Sequence, residues 1–94
     1  MNRISKMHAA YVVKSGEKCV SCCNYLKFCQ FLPRMIKYYY KCGAYGITNS
    51  AYSDWSGEYT ACGLFGKCYK KIPDFTPVMQ RKFETDFKHQ IRLE

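Results

Sequence analysis

The stretch KCVSCC (Lys18–Cys23) contains a C-x-x-C pair, and two later cysteines, Cys42 and Cys62, are each followed directly by glycine. Structural zinc sites take four sulfur or nitrogen ligands in a closed tetrahedron, and a C-x-x-C turn supplies two of them. We therefore expect Cys19, Cys22, Cys42 and Cys62 to bind one metal ion, zinc. An iron–sulfur cluster is the alternative, because four thiolates suit both.

The glycines that follow Cys42 and Cys62 are expected to adopt the positive φ of a knuckle turn. The other three cysteines are expected to be free thiols. Cys23 directly follows a ligand and should point away from the metal, and Cys29 should lie on an apolar helical face. Cys68 could replace Cys62 as a ligand or pair with another thiol on oxidation.

The composition predicts one small basic domain over residues 1–94, with 17% aromatic residues and a formal charge of +8. A chain of this length buries only about 60–65% of its unfolded surface, so a metal would add needed stability. The charge favours an anionic partner, which could be nucleic acid, an acidic protein surface or a membrane headgroup.

The chain has no run near the ~18–20 apolar residues of a membrane span. Its N-terminal run AAYVV is shorter than the ~7–15 apolar residues of a signal peptide. We therefore expect a cytoplasmic protein. Because that compartment is reducing, and because the seven cysteines are odd in number, a disulfide framework is not expected.

The chain reads as an α+β fold, a small zinc-ribbon or knuckle-like domain with short strands and a four-cysteine core over 18–66. Strands should run into Cys42 and Cys62, and helical turns should follow the first knuckle. Ser50 should cap a short helix that places Trp55 over the metal. An amphipathic helix is predicted over 76–93, with an apolar stripe of Met79, Phe83, Phe87 and Ile91.

A resemblance extends over residues 18–66. The segments KCVSCC, YYKCGAYGITNSAYSDW and YTACGLF resemble a group of short cysteine-rich proteins encoded in bacteriophages and prophages. The matching positions are Cys19, Cys22, Cys42, Gly46, Ser50, Asp54, Trp55, Cys62, Gly63 and Phe65. The resemblance implies a phage context, hence the host cytoplasm, and a metal site, but no particular activity.

Enzyme activity is not expected. The seven carboxylates form no paired motif, no Gly-rich phosphate loop is present, and four cysteines would close a zinc site to substrate. Thiol–disulfide exchange at Cys19 and Cys22 is a further alternative. Such exchange requires the C-x-x-C to open a helix in a βαβ fold, and no βαβ unit precedes it.

Two functions remain. The first is a protein that binds and blocks a host or defence protein or nucleoprotein complex, as anti-CRISPR proteins do. The second is direct nucleic-acid binding, in which tyrosines stack on bases and lysines neutralise phosphates. The contact residues predicted for either function are basic or aromatic: Lys37, Tyr38, Tyr40, Lys41, Lys67, Lys70, Lys71, Arg81 and Lys82.

Overall fold

The computed structural model describes residues 2–48, 50–79 and the backbone of 91–92. These described residues form one α-helix, five strands and three single turns of 3₁₀-helix. The regular elements are α1 (Arg3–Tyr11), β1 (Val13–Lys18), β2 (Tyr25–Leu32), β3 (Met35–Cys42), β4 (Thr60–Cys62) and β5 (Ile91–Arg92). The 3₁₀ turns are Cys19–Ser21, Ala51–Ser53 and Tyr69–Lys71.

Helix α1 begins where the Asn2 side chain accepts a hydrogen bond from the Ser5 N–H at 2.9 Å. This is the usual way to satisfy a free amide at a helix N-terminus. Met7 is fully buried, and Ile4 and Tyr11 pack against the same core. Val12, with φ of 62°, ends the helix and directs the chain into β1.

Strands β2 and β3 form an antiparallel hairpin in which all eight residues of each strand are paired, from Tyr25 opposite Cys42 to Leu32 opposite Met35. The predicted strand leading to Cys42 is confirmed. The helical turns predicted after the first knuckle are wrong, because that segment is β2. Its apolar residues come in adjacent pairs separated by one residue, a pattern that fits a helix and a strand paired on both edges equally well.

The remaining strands form smaller pairings. Strand β4, predicted to lead into Cys62, pairs antiparallel with β1. Strand β5 pairs with the second edge of β2 opposite Phe28 and Cys29. Ser50 caps the following 3₁₀ turn as predicted, since its side chain accepts from the Tyr52 N–H at 3.1 Å.

Two apolar clusters form the core. One cluster surrounds Met7 and Trp55, and the other contains Leu26 and Phe28. The Asn24 side chain connects the segment before β2 to the segment after β4. The buried Asn24 side chain accepts from the Tyr69 N–H at 2.7 Å and donates to the Lys67 carbonyl at 3.0 Å. This single amide therefore fixes the segment after β4 against the segment before β2.

The predicted zinc-ribbon or knuckle-like fold is wrong. The described residues form one N-terminal helix with antiparallel strands, which is compatible with an α+β class. Within 2–48 and 50–79 no group of three or more His, Cys, Asp or Glu side chains could hold a metal ion as placed.

Most of the helix predicted over 76–93 lies outside the described residues. At the ends of that range, residues 78–79 form a turn and Ile91–Arg92 form a strand. Over the part of the chain that the structure describes, no helix has the length and apolar character needed to cross a membrane.

Candidate metal centre

The four cysteines selected from the sequence line one small cavity. Its volume is about 10 Å³. Besides Cys19, Cys22, Cys42 and Cys62, the lining consists of Ile4, Met7, Asn24, Tyr25, Trp55 and Ala61. Cysteines separated by more than forty positions in the chain therefore line the same cavity.

Each cysteine stands at the end of a regular element, so backbone hydrogen bonding determines where its side chain begins. Cys19 opens the 3₁₀ turn after β1, and the Cys22 N–H closes that turn on the Cys19 carbonyl at 2.9 Å. Cys42 is the last residue of β3, and Cys62 is the last residue of β4.

Two of the four sulfurs accept a hydrogen bond from an N–H group. The Trp55 indole Nε1–H donates to Cys19 Sγ at 3.3 Å, and the Asn24 backbone N–H lies 3.5 Å from Cys22 Sγ. At the other two cysteines, nearby backbone amides act to lower the thiol pKa: those of Tyr45 and Ala44 at Cys42, and that of Leu64 at Cys62.

Burial is the largest influence on the pKa values of Cys19, Cys42 and Cys62. It raises the pKa of Cys42 to about 12, against the opposing N–H groups of Tyr45 and Ala44. Burial also raises the pKa of Cys19, where the Trp55 hydrogen bond acts in the opposite direction, and that of Cys62, where the Leu64 amide does so. The negative charge of neighbouring thiolates raises all three further.

The glycines after Cys42 and Cys62 have a different role from the one predicted. Among the described residues the glycines with positive φ are Gly16, Gly46 and Gly66, so neither Gly43 nor Gly63 belongs to that class. A Cβ on Gly43 would overlap the Tyr69 ring, and a Cβ on Gly63 would overlap the Tyr11 carbonyl. These positions therefore require glycine for close packing.

Trp55 occupies the position predicted for it, beside the four sulfurs. Its ring is buried, with the Tyr45 ring centroid at 4.9 Å and the Tyr59 ring at 5.2 Å in an edge-on arrangement. The aromatic residues leave the indole N–H directed at Cys19 and separate that sulfur from water.

The other three cysteines do not line the cavity, and all seven are free thiols. Cys68 therefore does not take the place of Cys62. Cys29 is buried in β2, on a strand and not on the helical face expected for it. Cys23 is exposed and lies within hydrogen-bonding reach of Cys68.

The predicted contact residues differ in their exposure. Those that are exposed are Lys37, Tyr38, Tyr40, Lys67, Lys70 and Lys71. Arg81 and Lys82 lie outside the described residues. Lys41 is only 1% exposed, so we remove it from the contact surface. Its Nζ donates to Asp54 Oδ1 at 2.5 Å and to the Ser50 carbonyl at 3.0 Å.

The sequence analysis missed four exposed apolar residues at the end of the β2–β3 hairpin. Phe31 and Leu32 precede the Pro33–Arg34 turn, and Met35 and Ile36 follow it. The signal was present in the sequence, since FLPRMI places apolar pairs on both sides of a turn-forming proline.

Comparison with known proteins gives no matching family model, no matching curated protein and no matching solved structure.

Proposed function

We propose that this is a non-enzymatic interaction protein that binds a partner protein through the β2–β3 hairpin and blocks it. The observation that carries the proposal is the hairpin tip, which we define as residues 31–36. Phe31 is 59% exposed, Leu32 38%, Met35 58% and Ile36 45%. Exposed apolar residues that form one patch mark interaction surfaces, whereas single exposed ones need no explanation.

The strand register arranges the four apolar side chains of the tip in two cross-strand pairs, one on each face of the hairpin. Phe31 lies opposite Ile36, and Leu32 lies opposite Met35. Opposite residues on an antiparallel pair have Cβ atoms about 4.5–5.5 Å apart. Both faces of the hairpin are therefore apolar and exposed at its end, where a groove in a partner could enclose it. Phe and Met are also enriched in the buried centres of protein interfaces.

The positive charge of the hairpin indicates a partner with an acidic surface. Between Glu17 and Asp54 the sequence has no acidic residue and five basic ones. Three of these, Lys27, Arg34 and Lys37, are exposed on the hairpin. Opposite charges at an interface rim steer association and select partners. We therefore expect the partner to present an apolar groove for the tip, bordered by carboxylates that face the basic residues of the hairpin. We propose that a protein of a host or defence complex carries this groove; the resemblance adds a phage context but no particular partner.

The hairpin tyrosines favour a protein partner over single-stranded nucleic acid. Base stacking needs open aromatic faces. Here the Lys27 Nζ lies 4.8 Å from the Tyr38 ring centroid and 6.0 Å from that of Tyr40. Tyr25 also stacks on Tyr40, at 5.6 Å between ring centroids. The rings are already in contact with a cation or with each other, so a base would have to displace these contacts.

A site-specific crosslinking experiment tests the proposal. A photoreactive phenylalanine analogue at Met35 should crosslink to one host protein, and the same analogue at the exposed Tyr52 should not. The double variant Phe31→Ser/Ile36→Ser should abolish the crosslink, while Val13→Ser, another exposed apolar position, should leave it intact.

Two results would contradict the proposal. The first is equal crosslinking from Met35 and Tyr52. The second is tight, steeply salt-dependent binding of a single-stranded oligonucleotide. If Lys67→Glu/Lys70→Glu/Lys71→Glu removed that binding, nucleic-acid recognition would replace the proposed function.

A further inference from the structure

The geometry points to a structural zinc ion bound by the thiolates of Cys19, Cys22, Cys42 and Cys62. This inference does not depend on the hairpin function, because the cavity and the tip share no residue. It rests on three observations: the cavity volume, the N–H donors and the apolar lining.

The volume leaves room for one ion. A cavity of about 10 Å³ is close to the roughly 10–15 Å³ that one water-sized sphere requires. A single metal ion is of that size. Four thiolates also suit an iron–sulfur cluster, and elemental analysis separates the two.

The hydrogen-bond donors suit thiolates better than thiols. A neutral thiol is a weak acceptor, whereas hydrogen bonds to an ionised acceptor are about twice as strong. The sulfurs of Cys19 and Cys22 nevertheless each have one N–H directed at them, from Trp55 and Asn24. Four thiolates and one Zn²⁺ have a net charge of −2, and these two donors would share part of that charge.

The residues that line the cavity indicate a structural metal site and not a catalytic one. Ile4, Met7 and Ala61 are apolar, and Trp55 is buried beside Cys19. Four protein ligands leave no open coordination position for a water or a substrate. Binding is an acid–base exchange with no redox step: four thiols and Zn²⁺ give the tetrathiolate complex and four protons.

The sulfurs must draw closer together than they stand in the structure, since they do not yet form a ligand set. Metal binding commonly completes a site in this way, because ligation is coupled to folding. The ion would then join the 3₁₀ turn after β1 to the ends of β3 and β4. The pairing of β1 with β4 and the hydrogen bond from the Gly43 N–H to the Asn24 carbonyl already bring these segments together, and the ion would add a direct link.

Elemental analysis of untagged protein from zinc-replete culture tests the inference. We expect about one zinc per chain and no iron or acid-labile sulfide. The variant Cys42→Ser should lose at least half of that zinc. Cys29→Ser is the matched control, because Cys29 is an equally buried strand cysteine outside the cavity, and it should retain the zinc.

If Cys42→Ser does not fold, a second measurement on the wild-type protein tests the zinc site. Thiol-specific mercurial titration of the wild-type protein, with a chromogenic zinc chelator present, should release about one zinc per chain as the thiols react. No bound metal, iron with sulfide, or equal zinc loss in Cys29→Ser would overturn the inference. The tip variant Phe31→Ser/Ile36→Ser should keep its zinc whether or not partner binding is lost, so the two proposals can fail separately.

Discussion

At the scale of single residues, Lys41 shows how a surface-type side chain becomes part of the interior. Its ammonium contacts the half-exposed Asp54 carboxylate and the Ser50 carbonyl, and lies 5.6 Å from the Tyr39 ring centroid. Burial lowers the pKa of Lys41, while the Asp54 hydrogen bond and charge oppose that shift. The sequence could not predict this pairing, because the two residues lie on different segments and KYYYK resembles a solvated basic strand.

Removing the carboxylate should cost more than removing the lysine. Asp54→Ala leaves a buried cation without its anion, and we expect it to lower the free energy of unfolding by about 2 kcal/mol, because the carboxylate is only half buried. Lys41→Met keeps the packing and leaves a carboxylate that water can reach, so its cost should be below about 1 kcal/mol. Urea denaturation of both variants gives the order, and a larger loss for Lys41→Met would contradict this account.

Gly43 is required for close packing, whereas the sequence led us to expect that it was required for a positive φ. The glycine was expected for its backbone freedom, yet it leaves room for the ring of Tyr69. Gly43→Ala should destabilise the protein by about 1–3 kcal/mol, the usual cost of overpacking. In a double-mutant cycle, Tyr69→Leu should recover part of that loss. Strictly additive effects of the two substitutions would show that the ring is not the cause.

At the scale of elements, the hairpin combines two kinds of surface on one pair of strands. The end near Cys42 is buried in the core, and the tip is exposed. Strand β3 could be predicted from its aromatic and β-branched run. Strand β2 could not, because eight residues with paired apolar positions do not separate the two periodicities. Helix α1 could not be predicted either, because periodicity does not separate a helix from a strand over so short a segment.

Two phenylalanines on β2 provide a matched comparison. Phe28 is buried in the second cluster, and Phe31 is exposed at the tip. Phe28→Ala should lower the free energy of unfolding by about 3–5 kcal/mol. Phe31→Ala should stay within about 0.5 kcal/mol of the wild type, as surface substitutions do, while weakening partner binding. A large stability loss in Phe31→Ala would mean that the tip belongs to the core and not to an interface.

At the scale of the whole molecule, the four cysteines predicted from their spacing to bind one metal ion line one small cavity, although the structure does not place them as a ligand set. The sequence could not show what surrounds them, because Trp55, Met7 and Asn24 come from three other segments. It also predicted the wrong fold. C-x-x-C and CG motifs specify local turns, whereas the topology depends on how β2 pairs with β3 and β5.

A chelator should destabilise the whole domain if the ion joins its segments. We expect excess EDTA to lower the melting temperature of the wild-type protein by more than about 10 °C, since structural zinc contributes folding free energy directly. Added zinc should restore the original melting temperature. The Phe31→Ser/Ile36→Ser variant should respond in the same way, and an unchanged melting temperature in EDTA would contradict a structural metal.

X-ray absorption at the zinc edge of the purified protein tests the central claim most directly. The account predicts a single shell of four sulfur neighbours at about 2.3 Å from one zinc per chain. A shell containing nitrogen or oxygen, or protein in which no zinc edge can be measured, would contradict it.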